Sequence, residues 1–127
     1  MLAVDTNVVV RLLVNDDQRQ GAMARRLFES DEIFIGVTVL LESAWVLESV
    51  YELSAGDAAK ALRGLLGLAN VRVEDAGAVA AALDAVSKGL ELADALHLLR
   101  APAEAEFVTF DRVRARAGKK VRPVRLV

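Results

Sequence analysis

The sequence predicts an α/β fold with three α/β/α layers, in which helices cover a mainly parallel central sheet of about four to five short strands. Short apolar segments of strand character alternate along the chain with longer segments that have helical periodicity. No repeat, low-complexity stretch or linker interrupts this alternation. With 127 residues, 54% of them hydrophobic, the chain is expected to form a single domain, 1–127, with a full core.

Each predicted element follows from the spacing of its apolar residues. The segments with the length and composition of short strands are residues 2–5, 33–35, 71–73, 107–110 and 121–126, and the first two of these are expected to be buried. The segments with helical spacing are residues 8–13, 16–28, 38–52, 55–69, 75–87, 93–101 and 112–117. Gly89 is expected to follow the fifth helix in a left-handed conformation, and Pro102 is expected to end or kink the sixth.

Hydroxyl and carboxylate side chains mark the predicted helix starts. Thr6 and Asn7 are expected to cap the first helix, and Thr38 is expected to cap the third. The pattern Ser54-x-x-Asp57 is typical of a capping box and predicts the start of the fourth helix.

Several protein classes are excluded by composition. No apolar run approaches the roughly 18 residues that a membrane span needs, and the first five residues lack the basic start of a signal peptide. The chain has no cysteine, which excludes disulfide frameworks and thiolate metal sites. A cytoplasmic protein is therefore expected.

Basic residues are concentrated towards the C-terminal end. Residues 100–127 carry eight basic and three acidic residues, a net charge of +5, which leaves −7 for residues 1–99. An acidic body with a basic end suits a metal site beside a phosphate-binding surface. An ordinary solvated terminus is the alternative interpretation.

Four acidic residues occur where predicted strands end or helices begin. Asp5 and Asp111 close strand segments, Asp94 opens a helical segment, and Glu42 lies about one turn into another. Ligands of open α/β sheets bind outside the carboxyl ends of the strands, and facing carboxylates repel each other unless a cation neutralises them. Together the four acids predict a metal site, whereas each alone would also fit helix capping or a solvated end.

The donor atoms of this predicted site indicate which metal it would hold. Carboxylate oxygens without His or Cys favour Mg²⁺ or Mn²⁺ over zinc. Such a site activates water and neutralises charge on a phosphoryl group. Thr6, Asn7 and Thr109 flank the acids in the sequence and are expected to orient the carboxylates by hydrogen bonds.

Four sequence segments together carry a family resemblance. They are residues 4–8 (VDTNV), 40–47 (LLESAWVL), 89–96 (GLELADAL) and 108–112 (VTFDR). Because the four segments occur in this order and at these spacings, the chain resembles PIN-domain ribonucleases over nearly its full length. The chain most closely resembles the VapC-type toxins of prokaryotic type II toxin–antitoxin systems.

The resemblance implies a Mg²⁺- or Mn²⁺-dependent endoribonuclease in which Asp5, Glu42, Asp94 and Asp111 are the catalytic and metal-binding acids. It also implies structured RNA such as tRNA or rRNA as the substrate, a cognate VapB-like antitoxin as the inhibitor, and a homodimer. Many relatives have an aspartate where this chain has Glu91, so Glu91 is expected to replace an auxiliary acid. Some relatives carry a further acid shortly after the position of Asp111. This chain lacks that acid, so it has one carboxylate fewer with which to bind a second metal ion.

The remaining polar and aromatic residues each have two interpretations. Arg112 and Arg114 are expected to contact RNA phosphates, with a solvated helix face as the alternative. Arg11 is expected either to face the acidic cleft or to lie at the surface. His97 fits a proton carrier or a residue at the rim of the site, and Trp45 fits a base-stacking surface or a core or interface anchor.

Two other function classes compete with the nuclease. A non-catalytic PIN-like module that only binds RNA or protein would use the same fold, although such modules usually lose one or more of the acids. A receiver-type phosphoacceptor domain also gathers acids around magnesium, but it needs a pair of acids after the first strand, where this chain has Asp5 alone.

Overall fold

Strands and helices alternate along the whole chain, as the sequence predicts. A computed structural model describes residues 1–127 and contains five short strands and seven helices. The chain divides into two compact units, Met1–Ala76 and Gly77–Val127, each with its own parallel sheet. None of the seven helices combines the length and the apolar character needed to cross a membrane.

The first unit contains three strands and four helices. In chain order they are β1 (Leu2–Ala3), α1 (Thr6–Leu13), α2 (Gln18–Ser30), β2 (Ile33–Ile35), α3 (Val37–Ser49), α4 (Ala55–Leu66) and β3 (Val71–Val73). The strands are all parallel in the order β1-β2-β3, and Ile33 pairs with Leu2 on one side and Val71 on the other. The carboxyl ends of these strands therefore lie at one edge of the sheet, and Asp5 follows β1 there.

The core of the first unit lies around its central strand. Ile33 and Ile35 of β2 are fully buried, and so are Leu40 and Leu47 of α3. The prediction of a buried first strand is wrong for both residues of β1, Leu2 (37% exposed) and Ala3, because β1 is an edge strand of only two residues.

The first helix is capped by a carboxylate where a hydroxyl or amide was expected. The Asp5 side chain accepts a hydrogen bond from the amide of the third residue of α1 at 3.3 Å. Thr6 and Asn7 are consequently the first residues of α1, and the prediction that they cap it is wrong. In α4 the prediction is confirmed, since the Ser54 hydroxyl accepts from the Asp57 amide at 3.1 Å.

The start of α3 depends on a residue that is distant in sequence. The helix begins at Val37 with Gly36 as the capping residue, so the prediction of Thr38 as the cap is wrong. Glu74, which follows β3, accepts a hydrogen bond from the Val37 amide at 2.9 Å. A carboxylate 37 positions along the chain therefore satisfies one of the amides at the start of α3 that have no partner within the helix.

The second unit contains two strands and three helices. They are α5 (Ala76–Val86, whose first residue ends the first unit), α6 (Leu92–Arg100), β4 (Phe107–Thr109), α7 (Arg112–Gly118) and β5 (Val124–Leu126). Gly89 follows α5 with a φ of +95°, as predicted, and α6 ends before Pro102. The predicted number and parallel direction of the strands are confirmed, and the strand pairing separates them into one sheet of three strands and one of two.

One arginine holds the end of α6. The Arg122 guanidinium donates hydrogen bonds of 2.6 to 3.2 Å to the backbone carbonyls of Leu98, Ala101, Pro102 and Ala105. The amides of Val121 and Arg122 bond to the Gly118 carbonyl in a turn. For this reason β5 begins at Val124, three residues after the predicted start.

Candidate active site

The first pair of acids, Asp5 and Glu42, belongs to the first unit and is connected through Thr6. Glu42 projects from the second turn of α3, and both carboxylates are exposed. The Thr6 hydroxyl donates a hydrogen bond to Glu42 Oε1, and Thr6 itself is only 8% exposed. Because Thr6 directly follows Asp5, this bond holds the Glu42 carboxylate at the carboxyl end of β1.

Asp5 also lines a surface depression of about 310 Å³ in the first unit. Asn7 and Arg11 of α1 contribute polar groups to it, and Met23 and Leu27 of α2 contribute an apolar wall. Asn7, which was expected to orient a carboxylate, therefore shares a surface with Asp5.

Arg11 is held by three side chains beside this depression. Its Nη1 lies 3.0 Å from Asp16 Oδ1 and donates to the Tyr51 hydroxyl at 3.0 Å, and its Nε donates to Gln20 at 2.8 Å. The Tyr51 hydroxyl donates in turn to Asp16 Oδ2 at 2.7 Å. The hydrogen bond with Tyr51 is the main cause that raises the pKa of Arg11 and lowers the pKa of Asp16. Arg11 is therefore engaged within the protein.

The second pair of acids, Asp94 and Asp111, belongs to the second unit, and Arg114 lies against both. Asp94 is in the first turn of α6 with 18% of its side chain exposed, and Asp111 caps α7 by accepting from the Arg114 amide at 2.9 Å. The Arg114 Nε lies 3.2 Å from Asp94 Oδ2 and 3.9 Å from Asp111 Oδ2. The side chain expected to contact RNA phosphate thus neutralises two of the predicted metal ligands.

A cavity of about 370 Å³ surrounds the second pair. Its polar lining consists of Glu91, Asp94, His97, Thr109, Asp111 and Arg114. The Thr109 hydroxyl accepts a hydrogen bond from the Asp111 amide at 3.1 Å, so it fixes the backbone that carries this acid. Glu91 precedes α6 and makes no capping hydrogen bond, which leaves its carboxylate available to the cavity.

The structure narrows the interpretation of two further residues. His97 is exposed and lies at the cavity one turn after Asp94, which agrees with a residue at the rim of the site. Trp45 is 64% exposed, so it is not a core anchor.

The donor chemistry of both pairs fits a hard divalent cation. All four side chains offer carboxylate oxygens, and the second pair already attracts a positive group, the guanidinium of Arg114. Within each unit, no three Asp, Glu or His side chains gather closely enough to hold a metal ion by themselves. Each unit therefore supplies two of the predicted ligands.

The chain is an α/β protein with parallel strands, a class in which ligands bind outside the carboxyl ends of the strands. The chain matches the family model of the PIN domain over residues 2–120, and it belongs to that family. PIN domains are generally nucleases that use divalent metals, which supports a nuclease and not the receiver-type alternative. A comparison with curated proteins finds no match.

Proposed function

We propose that this protein is a Mg²⁺- or Mn²⁺-dependent endoribonuclease of the VapC type that hydrolyses phosphodiester bonds in structured RNA such as tRNA or rRNA. The observation that carries the proposal is the PIN family match over residues 2–120, in a chain that has all four acids of the sequence pattern. Asp5, Glu42, Asp94 and Asp111 are the proposed catalytic residues. We also propose that residues 1–127 make a single PIN domain.

The proposed metal ligands are Asp5, Asp94 and Asp111, with Glu42 binding a second ion or positioning the attacking water. When bound, a divalent cation neutralises charge on the phosphate and makes the attack of water easier. The water oxygen forms a bond to phosphorus while the bond to the 3′ oxygen breaks. The products are a 5′-phosphate and a 3′-hydroxyl, and the leaving oxygen takes up a proton.

Neighbouring residues orient these acids in the proposed mechanism. Thr6 restrains Glu42 through its hydroxyl hydrogen bond, and Thr109 restrains the backbone of Asp111. Asn7 and Glu91 are proposed to support the site from the surfaces that they share with Asp5 and Asp94, respectively. Arg112 remains available to contact RNA phosphate, whereas Arg11 and Arg114 would first have to leave their present partners.

The proposed partners follow from the VapC-type assignment. A cognate VapB-like antitoxin would bind the protein and block cleavage, and the protein would act in the cytoplasm as a homodimer. Co-expression of the toxin with and without the protein encoded beside it tests this part of the proposal. Restored growth together with a stable complex would support it.

The nuclease itself is tested with purified protein and total small RNA in Mg²⁺ or Mn²⁺. We expect discrete fragments with 5′-phosphate ends that are absent in EDTA and in the Asp94→Asn variant. Cleavage that persists in both conditions would contradict a metal-dependent mechanism. RNA binding without cleavage by the folded protein would instead support the binding-only module.

A further inference from the structure

The basic residues near the C-terminal end are divided by their contacts into two groups. Five of the eight have partners within the protein: Arg100, Arg114, Lys120, Arg122 and Arg125. The other three, Arg112, Arg116 and Lys119, are exposed and form no ion pair or hydrogen bond through their side chains. Their positive charges are therefore available to a ligand from outside the protein.

Two of these three free cations, Arg112 and Arg116, lie on α7, and the third, Lys119, is the residue that caps its C-terminal end. Arg112, Arg116 and Lys119 follow each other at spacings of four and three residues, which places them in a row along a helix. At a rise of about 1.5 Å per residue, the row is about 10 Å long. All three line a shallow depression of about 330 Å³. Arg114 points elsewhere, towards Asp94 and Asp111.

An exposed aromatic side chain lies just before this helix. Phe110 is 86% exposed and precedes Asp111, the residue that caps α7. An aromatic ring beside a row of cations is the combination with which proteins bind single-stranded nucleic acid, because the cations follow the backbone while a base stacks on the ring. A base inside a duplex cannot stack on a side chain without being unstacked first.

We propose that Phe110 and the row Arg112–Arg116–Lys119 form a binding surface for a single-stranded segment of RNA. The three cations contact successive backbone phosphates, and one unpaired base stacks on Phe110. The surface adjoins Asp111, so it would hold the substrate strand next to a proposed catalytic acid. Its assignment to RNA rests on the proposed nuclease function, whereas the binding itself can be measured without cleavage.

The row of cations is tested by the salt dependence of binding. A fluorescently labelled single-stranded oligoribonucleotide is titrated with protein in EDTA, at KCl concentrations from 50 to 200 mM, and fluorescence anisotropy is recorded. Each phosphate contact contributes a slope of about −0.7 to the plot of log affinity against log salt. In the triple variant Arg112→Gln, Arg116→Gln, Lys119→Gln, we expect the slope to become about 2 units less steep and the affinity at 50 mM to fall roughly tenfold or more.

A matched control separates this surface from a general effect of charge. The triple variant Arg19→Gln, Arg25→Gln, Arg26→Gln removes the same number of exposed positive charges from α2. We expect its slope and affinity to stay close to those of the unmodified protein. Equal losses in the two triple variants would overturn the proposed surface, and so would an unchanged slope in the α7 variant.

The stacking role of Phe110 is tested with Phe110→Ala and an oligonucleotide of abasic sites. We expect Phe110→Ala to bind the normal oligonucleotide about fivefold or more weakly than the unmodified protein does. The two proteins should bind the abasic oligonucleotide with equal affinity, because it has no base to stack on the ring. Leu68→Ala, which removes an exposed apolar side chain from the first unit, serves as the control and should change neither affinity. Tighter binding of a duplex than of the single strand, or no loss in Phe110→Ala, would overturn the proposal.

The two proposals can fail separately. If the unmodified protein cleaves RNA while the α7 variants bind oligonucleotides normally, the binding surface is wrong and the nuclease stands. If binding depends on α7 but no RNA is cleaved in Mg²⁺ or Mn²⁺, the surface stands and the nuclease is wrong.

Discussion

The hydrogen bond from Thr6 to Glu42 restrains a carboxylate on an otherwise exposed helix face. Because Thr6 is buried and Glu42 is exposed, the hydroxyl limits the positions that the longer side chain can adopt. We expect Thr6→Val, which keeps the shape of the side chain but removes the hydroxyl, to lower the cleavage rate about 10- to 100-fold. Thr6→Ser should restore most of the rate. Equal loss in both variants would indicate a packing role for Thr6.

Arg114 competes with any cation for Asp94 and Asp111. Its guanidinium contacts both carboxylates, so a metal ion must displace it or share its ligands. We therefore expect Arg114→Gln to bind Mn²⁺ more tightly than the unmodified protein, measured by the electron paramagnetic resonance signal of free Mn²⁺. Arg116→Gln, on another face of the same helix, is the control for charge and should have a smaller effect. Weaker Mn²⁺ binding in Arg114→Gln would contradict competition.

The four acids could be proposed from sequence because three of them lie at the end of a strand or the start of a helix and the fourth, Glu42, lies about one turn into a helix. Their contacts could not, since they depend on residues that tertiary structure brings together. Thr6 and Glu42 are 36 positions apart, and Arg11 reaches Tyr51 across 40. Arg114 was expected to contact phosphate because it follows Asp111, but helical geometry turns it back towards the acids.

At the scale of elements, the start of α4 depends on one hydroxyl. The Ser54 side chain caps the helix through the Asp57 amide. We expect Ser54→Ala to lower the free energy of unfolding by about 1 kcal/mol and Ser54→Gly by only a few tenths of that amount. Urea denaturation followed by circular dichroism measures both. Equal stability of Ser54→Ala and the unmodified protein would contradict the capping role.

Arg11, Asp16 and Tyr51 connect α1, the turn before α2, and the segment after α3. The pKa of Asp16 is lowered mainly by the Tyr51 hydroxyl, so this stabilisation is present above the ordinary pKa of Asp16 and lost as the pH falls through its lowered value. We expect Tyr51→Phe to destabilise the protein at pH 7 and to have a smaller effect below about pH 4.

This pH dependence is checked by urea denaturation of Tyr51→Phe at several pH values. In an Asp16→Asn background, the same substitution should show no change between neutral and acidic pH, because the titrating carboxylate is absent. A Tyr51→Phe effect of equal size at pH 7 and pH 3 would contradict the assigned cause.

Apolar periodicity predicted the middle of each element better than its ends. β2 and β3 have the predicted bounds because both are apolar segments with clear flanks. The starts of α1 and α3 were misplaced because carboxylates accept hydrogen bonds from amides in their first turns, Asp5 from the capping position of α1 and Glu74 from a distant segment for α3. No local pattern at Thr38 could reveal that competition.

At the scale of the whole molecule, strand direction follows from connectivity, since a helix separates each strand from the next in each sheet. The sequence did not predict that the strands would pair as separate sheets of three and two. The sequence also showed that residues 100–127 have a net positive charge, but it did not indicate which of their basic side chains lack a partner within the protein. Only the contacts show that Arg112, Arg116 and Lys119 are free, although their spacing of four and three residues was visible in the sequence.

The most direct test of the central claim asks whether the acids of both units serve one reaction. Single-turnover cleavage of RNA in Mn²⁺ is measured for Asp5→Asn, Asp111→Asn and the double variant. If the acids act together, each single variant loses more than about 100-fold, and the double variant is little worse than the poorer single one. Cleavage that survives either substitution, or losses that multiply in the double variant, would contradict a shared catalytic role.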